Sequence, residues 1–251
     1  MSGFAHPAFE PYRDLLSRLR GGTGLDALNE IAEQTGIRHA VTGKALRFDR
    51  LTEAPSAAQY EQSIAASGKV PTRENNLHDF LNALVWLRFP QIKSALNLRH
   101  CRMLQERPEE RKQRGRLRDR LTLLDESGAL VISGAPPLLA LLCEKKWVEL
   151  FWDARQEAAR HMRFIVVGHG LLENCLAPFP GMTAKCLCLP ASATRLDAVD
   201  ELAASAIHDA EAFELPPLPV QGIPGWDNNE SADYYRNTAI FRPARTPPAA
   251  A

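Results

Sequence analysis

The sequence predicts an α+β fold: helix-rich, with a small mixed or antiparallel sheet and an extended C-terminal segment wrapping the core. Three observations carry this. Segments with helical apolar spacing outnumber β-branched runs, and the two kinds do not alternate as βαβ units would. Beyond Glu214 the stretch LPPLPVQGIPGW holds Pro216, Pro217, Pro219 and Pro224, which favour extended coil. Trp226, Tyr234, Tyr235 and Phe241 follow, and aromatic anchors in irregular chain imply packing onto a core.

The elements follow in order. Helices are expected over 8–20 and 24–35, the second with Leu25, Leu28, Ile31 and Ala32 on one face and Gly36 as its stop. ALRFDRL suggests a short strand, and QYEQSIAAS a polar helix ending at Gly68. Two helices meet at Pro90. In 116–133, LTLLD and ALVIS around Glu126-Ser127-Gly128 read as a β-hairpin with glycine last in the turn. Pro136 and Pro137 open a helix, WVELFWDARQEAA gives another, and RFIVVG is the strongest strand signal, with KCLCL as a partner strand after the helix GLLENCL. Thr194 and Asp197 resemble a capping box before DAVDELAASAI. The expected organisation is an N-terminal helical segment (1–39), a main domain (40–243) and a disordered tail (244–251).

Composition narrows the function classes. Apolar residues make up 45% and charged residues 24%, as in a folded globular chain. Lys plus Arg equals Asp plus Glu, 30 each, so no global field draws the chain to nucleic acid or anionic lipid. Cys101, Cys143, Cys175, Cys186 and Cys188 are odd in number and lack C-x-x-C spacing, against a zinc ribbon or disulfide framework. No run of about 18 apolar residues and no leader pattern in MSGFAHPAFEPYRDLL appear, so a cytoplasmic location without membrane contact is expected.

The stretch NNLHDFLNALVWLRFPQIKSALNLRH carries most of the functional signal. At 100° per residue, Leu77, Phe80, Leu81, Leu84 and Leu87 share one face of its first helix, with His78, Asp79, Asn82 and Trp86 opposite. A tryptophan in a polar row wants cover, so this row is expected to line a cavity rather than solvent. On the second helix Lys93, Asn97, His100 and Leu104 form a stripe, and the short link predicts that the helices fold back antiparallel. The polar groups can be structural ties, or a pocket wall with His78 or His100 as base or metal ligand and Asp79 orienting or ligating.

Longer motifs point to a family. N-x-H-D-F-x-N-A-L-x-W-x-x-F-P-x-x-K-x-x-L-N-x-x-H, R-D-x-L-T-x-x-D-E-x-G, G-H-x-L-x-E, P-x-x-G-x-T-A-K, P-L-P-V-x-G-I-P-G-W and Y-Y-x-x-T-x-x-F-R-P all occur between residues 40 and 243. Together they resemble the uncharacterised bacterial domain-of-unknown-function family numbered three thousand and twenty-five. The chain departs from it at Leu124, where the family favours Phe. The resemblance implies a bacterial source and a single domain; it supplies no assigned activity.

Other constellations carry paired readings. His169 and Glu173, four apart after RFIVVG, are a candidate metal pair or a surface pair, and Gly168 and Gly170 suit a turn that presents N–H groups to an anion. Asp119, Asp125 and Glu126 are candidate carboxylates, although Asp-Glu before Ser-Gly fits a solvated turn better. Residues 99–120 hold eight arginines and one lysine against four acidic residues. That excess of five makes Arg111, Arg114 and Arg116 candidate anion-binding residues, with Lys93 beside them; in the alternative reading the protein is non-catalytic and binds nucleic acid or another anionic partner there. The favoured reading is an enzyme, a metal-assisted hydrolase with His78, Asp79, Asn82, His100 and His169 as catalytic candidates. His78, Asp79, His169 and Glu173 are its ligand candidates for a divalent transition metal, and a small molecule or anionic ligand is the expected partner.

Overall fold

The computed structural model describes residues 2–19, 22, 24–51, 53, 55–105, 111–192, 195–209 and 214–244, with the side chains of 2, 111–114 and 116 outside that description. A 3₁₀ turn, Pro7–Tyr12, runs into α1 (Arg13–Leu19); Pro11, lacking an N–H, stops the expected helix from being continuous. α2 (Leu25–Thr35) ends where Gly36 turns left-handed at φ 61°. β1 (Arg47–Arg50) and β2 (Lys69–Thr72) pair in parallel around α3 (Ala57–Ser67), which starts with a Ser56–Gln59 capping box.

α4 (Leu77–Arg88) begins at the Asn76 cap, and α5 (Pro90–Gln105) follows after Phe89. These two helices are not each other's main partners. α4 packs most extensively on α9 (His169–Asn174), and α5 on α10 (Leu196–Asp209) and α3. The first turn of α5 is capped by Asp200 of α10, whose carboxylate accepts from the N–H groups of Gln91 and Ile92 at 2.9 Å each.

The proposed hairpin at 116–133 is absent. Residues Arg111–Ser127 form one helix, α6, and β3 (Gly128–Ser133) starts at the next residue. Leu117, Leu121 and Leu124 recur at helical spacing; Leu121 and Leu124 are fully buried, and burying that stripe outweighs the local β preference of LTLLD.

β3 is the centre of the main sheet, order β4-β3-β5-β6, with β4 (Met162–Val166) antiparallel to β3, β5 (Thr183–Leu189) parallel to it and β6 (Pro217–Pro219) antiparallel to β5. KCLCL therefore pairs with β3 rather than with RFIVVG. Every residue of β3 is buried, which explains its unbroken apolar run. α7 (Pro136–Cys143) follows, and the predicted WVELFWDARQEAA helix divides into a π turn, Glu149–Asp153, and α8 (Arg155–His161).

The irregular C-terminal segment, with the short α11 (Ala232–Arg236), wraps the core as its aromatics predict. Tyr235 and Phe241 are buried, Trp147 Nε1 donates to the carbonyl of Arg242 at 3.0 Å, and Arg155 donates to the carbonyl and side chain of Asn229. The N-terminal turn joins the same core: Tyr12, fully buried, donates its hydroxyl proton to the carbonyl of Val166. Thr194 and the tail 245–251 lie outside the described residues. Among the described residues no helix is long and apolar enough to cross a membrane.

Candidate metal centre

Two glycines build the site. A Cβ on Gly128 would meet the carbonyl oxygen of Leu124 at 2.0 Å, and one on Gly168 would meet the nitrogen of Gly128 at 2.3 Å. Without side chains at both positions, the end of α6 and the start of α9 touch. The N–H groups of Val167 and Gly168 both donate to the carbonyl of Gly128, at 3.0 and 2.9 Å. Glu126, in the last turn of α6, is thereby set against His169, the first residue of α9.

α4 brings a third group. The His78 and His169 rings lie 4.5 Å apart, inclined at 70°. Glu126 Oε1 is 3.5 Å from His169 Nε2, and its Oε2 is 3.9 Å from His78 Nε2. One ligand atom from each of His78, Glu126 and His169 lies within 4.8 Å of the others. The neighbouring His169 imidazole holds the Glu126 carboxyl below its ordinary range, against the opposing effect of burial. Glu173, one turn along α9, is not a member of this cluster; its Oε2 sits 3.0 Å from His78 Nδ1 and fixes that ring's orientation.

His78, Glu126 and His169 line a cavity of about 490 Å³. α6 supplies one wall through Arg118, Thr122, Asp125 and Glu126, spaced as one helical face. α4 contributes His78, Asp79 and Asn82; α5 His100 and Leu104; α3 Tyr60 and Glu61. Leu51, Pro55, Ala57 and Pro71 make an apolar rim.

The catalytic candidates His78, Asp79, Asn82, His100 and His169 thus share one cavity, in different circumstances. Asp79 is tied up by Arg73, which donates to it from its backbone N (2.6 Å), Nε (3.0 Å) and Nη2 (2.8 Å). Burial raises the Asp79 carboxyl, but these bonds bring it below its usual range. Asp79 therefore stands outside the His–Glu–His cluster. Asn82 donates to the Tyr60 hydroxyl at 3.0 Å. His100 faces the cavity without joining the cluster, and burial lowers its pKa. Trp86 is fully buried behind the wall rather than lining it, while Leu77, assigned to the apolar face, is 42% exposed.

Lys93 does not face outward to an anion. It is 4% exposed, its ammonium pairs with Asp125, and it lies 5.4 Å above the Trp86 ring. Burial raises the Asp125 carboxyl, yet Lys93, His169 and His100 together more than compensate and hold it low. The side chains of Arg111, Arg114 and Arg116 lie outside the described residues.

Two further residues contribute. Glu126, a candidate carboxylate for which the sequence favours a solvated turn, lies in a helix instead, and the Leu117/Leu121/Leu124 spacing is the signal for it. Glu61 carried no local signal. Asn97 Nδ2 donates to Glu61 Oε2 at 2.6 Å, and Asn97 Oδ1 faces His39 Nε2 at 3.0 Å. The amides of Val41 and Thr42 donate to His39 Nδ1, so a neutral His39 carries its proton on Nε2 and orients the Asn97 amide toward Glu61. Burial pushes the Glu61 carboxyl up to about 7.

A family model described as "Protein of unknown function (DUF3025)" matches residues 46–245, most of the chain. The chain belongs to this family. The match takes in both walls of the cavity, so the His–Glu–His cluster lies wholly within the DUF3025 domain. Among curated proteins and among solved structures, nothing matches this DUF3025 chain.

Proposed function

We propose that this DUF3025 protein is a metal-assisted hydrolase that holds one divalent transition-metal ion through His78, His169 and Glu126. The convergence of three ligand atoms within 4.8 Å on a cavity wall carries the reading. Two imidazoles and one carboxylate suit zinc, manganese or iron better than magnesium, which prefers oxygen and water. Three protein ligands leave a coordination position open, as hydrolytic sites require. Glu173 on His78 Nδ1 is the carboxylate–histidine pairing that orients a ligating ring.

A cation there supplies Lewis acidity toward a carbonyl or phosphoryl oxygen and activates water. Glu61 is the proton carrier in this reading: its carboxyl is poised near neutrality, lines the same cavity and is aimed by Asn97. Water adds across the scissile bond, its proton passing to Glu61 and then to the leaving group. Arg118, eight residues and about 12 Å along α6 from Glu126, is placed to meet an anionic end of the substrate.

The test is elemental analysis of protein purified without a histidine tag, with His78→Ala, His169→Ala and Glu126→Gln beside it. Near-stoichiometric zinc, manganese or iron in the wild type, lost in the variants, is expected. Substoichiometric metal unchanged by all three substitutions would defeat the reading. Chelator-sensitive hydrolysis of chromogenic esters and phosphodiesters then separates a hydrolase from a metal-binding protein without turnover.

A further inference from the structure

A second cleft, of about 920 Å³, opens on the opposite chemistry: among the described residues it is lined by three cations and by no carboxylate. Lys145 reaches it from the turn after α7, Lys185 from β5, and Arg242 from the C-terminal segment. Three elements distant in sequence therefore deliver positive charge to one concavity. Among the described residues none of the three side chains has an ion-pair partner. The nearby Glu144 is taken by Lys146, at 2.8 Å.

Lys145 has a left-handed backbone, φ 58°, at a position where glycine or asparagine is the easier residue. A lysine there sets a cation at the cleft's edge in spite of the backbone strain. Like charges lining one cleft give it a positive potential, which a bound anion lowers. The walls between the charges are apolar: Trp147, Ile240 and the strand prolines Pro217 and Pro219.

The edge strand β6 bears on the kind of ligand. Pro217 and Pro219 have no N–H to donate, so an added peptide strand finds few backbone partners there. Trp147 is 4% exposed and presents no open face for base stacking along a nucleic-acid strand. A volume of this size fits a small molecule. We propose that this cleft binds a small polyanion, bearing two or more adjacent phosphate or carboxylate groups on a compact body, through Lys145, Lys185 and Arg242. The site is separate from the candidate metal centre and does not rest on the hydrolase reading.

The experiment is isothermal titration of the full-length protein at low salt with inorganic pyrophosphate, and in parallel with citrate. The stronger of the two identifies phosphate or carboxylate as the preferred group. Lys185→Gln and Arg242→Gln, singly and together, are compared with Lys146→Gln, whose ammonium is already paired. Binding that weakens about tenfold in each single variant, stays within about twofold in Lys146→Gln and declines steeply with salt is the expected result. Because pyrophosphate also coordinates metals, the titration is repeated on His169→Ala, which must retain it. No binding of either anion at low salt would overturn the proposal. Binding that survives the Lys185/Arg242 double substitution, or that disappears in His169→Ala, would overturn it as well.

Discussion

Nε2 of His169 lies 3.5 Å from Oε1 of Glu126, while Nδ1 of the same buried ring has no hydrogen-bond partner among the described residues. A buried imidazole nitrogen left unsatisfied costs about 1–3 kcal/mol, and such groups call for an explanation. On the metal reading proposed above, a cation bound at Nδ1 would satisfy this nitrogen.

Added zinc should raise the thermal unfolding midpoint of the metal-stripped wild type and leave His169→Ala unmoved. A ligand that binds only the native state at about 100 times its Kd adds about 2.7 kcal/mol, roughly 5–10 °C for a chain of this size. Differential scanning calorimetry reads it directly, and equal shifts in both proteins would place zinc elsewhere.

Glu173→Gln should weaken metal binding without abolishing it. The carboxylate touches Nδ1 of His78, so on the proposed reading it orients and polarises that ring. Outer-shell partners of this kind typically contribute about 10–100-fold in affinity. Competition with a fluorescent zinc chelator measures it; a complete loss would make Glu173 a ligand itself.

Glu61 gives a pH prediction. Its folded pKa of about 7 stands above the ordinary 4.5, so the folded state binds the proton more tightly than the unfolded chain. The stability this contributes is fully present below about pH 4.5 and is lost as pH rises toward 7. Wild type should therefore lose stability relative to Glu61→Gln across that window, as read by urea unfolding at stepped pH. Asp200, also raised to about 7 by burial, is common to both proteins and cancels in the difference.

Lys93→Met should destabilise more than the double substitution Lys93→Met/Asp125→Leu. The single change strands a carboxylate whose side chain keeps only 25% of its exposure. Breaking a buried pair from one side typically costs about 3–5 kcal/mol, whereas replacing both partners with apolar groups can be nearly neutral. A denaturant double-mutant cycle decides between them; a double variant as unstable as the single would mean that packing around Trp86, not charge, sets the cost.

Truncation after residue 215 should give an aggregating or unfolded protein. It removes β6 together with the buried Leu218, Val220, Ile223, Tyr235 and Phe241. At about 1.5–3 kcal/mol per buried large side chain, the loss is comparable to the whole stability of a typical domain. An undiminished melting temperature would show that the segment only decorates the core.

Local chemistry in the sequence was sufficient for the apolar face of α2 and for the stops of α2 and α3, which depend on residues within one or two turns: Gly36 and Gly68 end them. It was also sufficient for the row His78, Asp79 and Asn82 on α4, and for the wrapping of a proline-rich segment that carries aromatic anchors. It failed at 116–133 because LTLLD satisfies both a strand and a helix locally. There, burial of Leu121 and Leu124 decided, a quantity set by neighbours distant in the chain.

By itself, then, the sequence determined the class of fold, the family motifs and which side chains had the chemistry for a site. Only the tertiary structure decided which of them meet. His78, Glu126 and His169 are far apart in the chain, and their meeting depends on Gly128 and Gly168 allowing two backbones to touch. It also sorted groups of like chemistry into unlike roles: Asp79 into an ion pair with Arg73, Lys93 into one with Asp125, Glu61 into a carboxyl that burial raises to about 7. The physical reason is that pairing, burial and coordination are properties of distance in space, and helical periodicity constrains distance only within a single element.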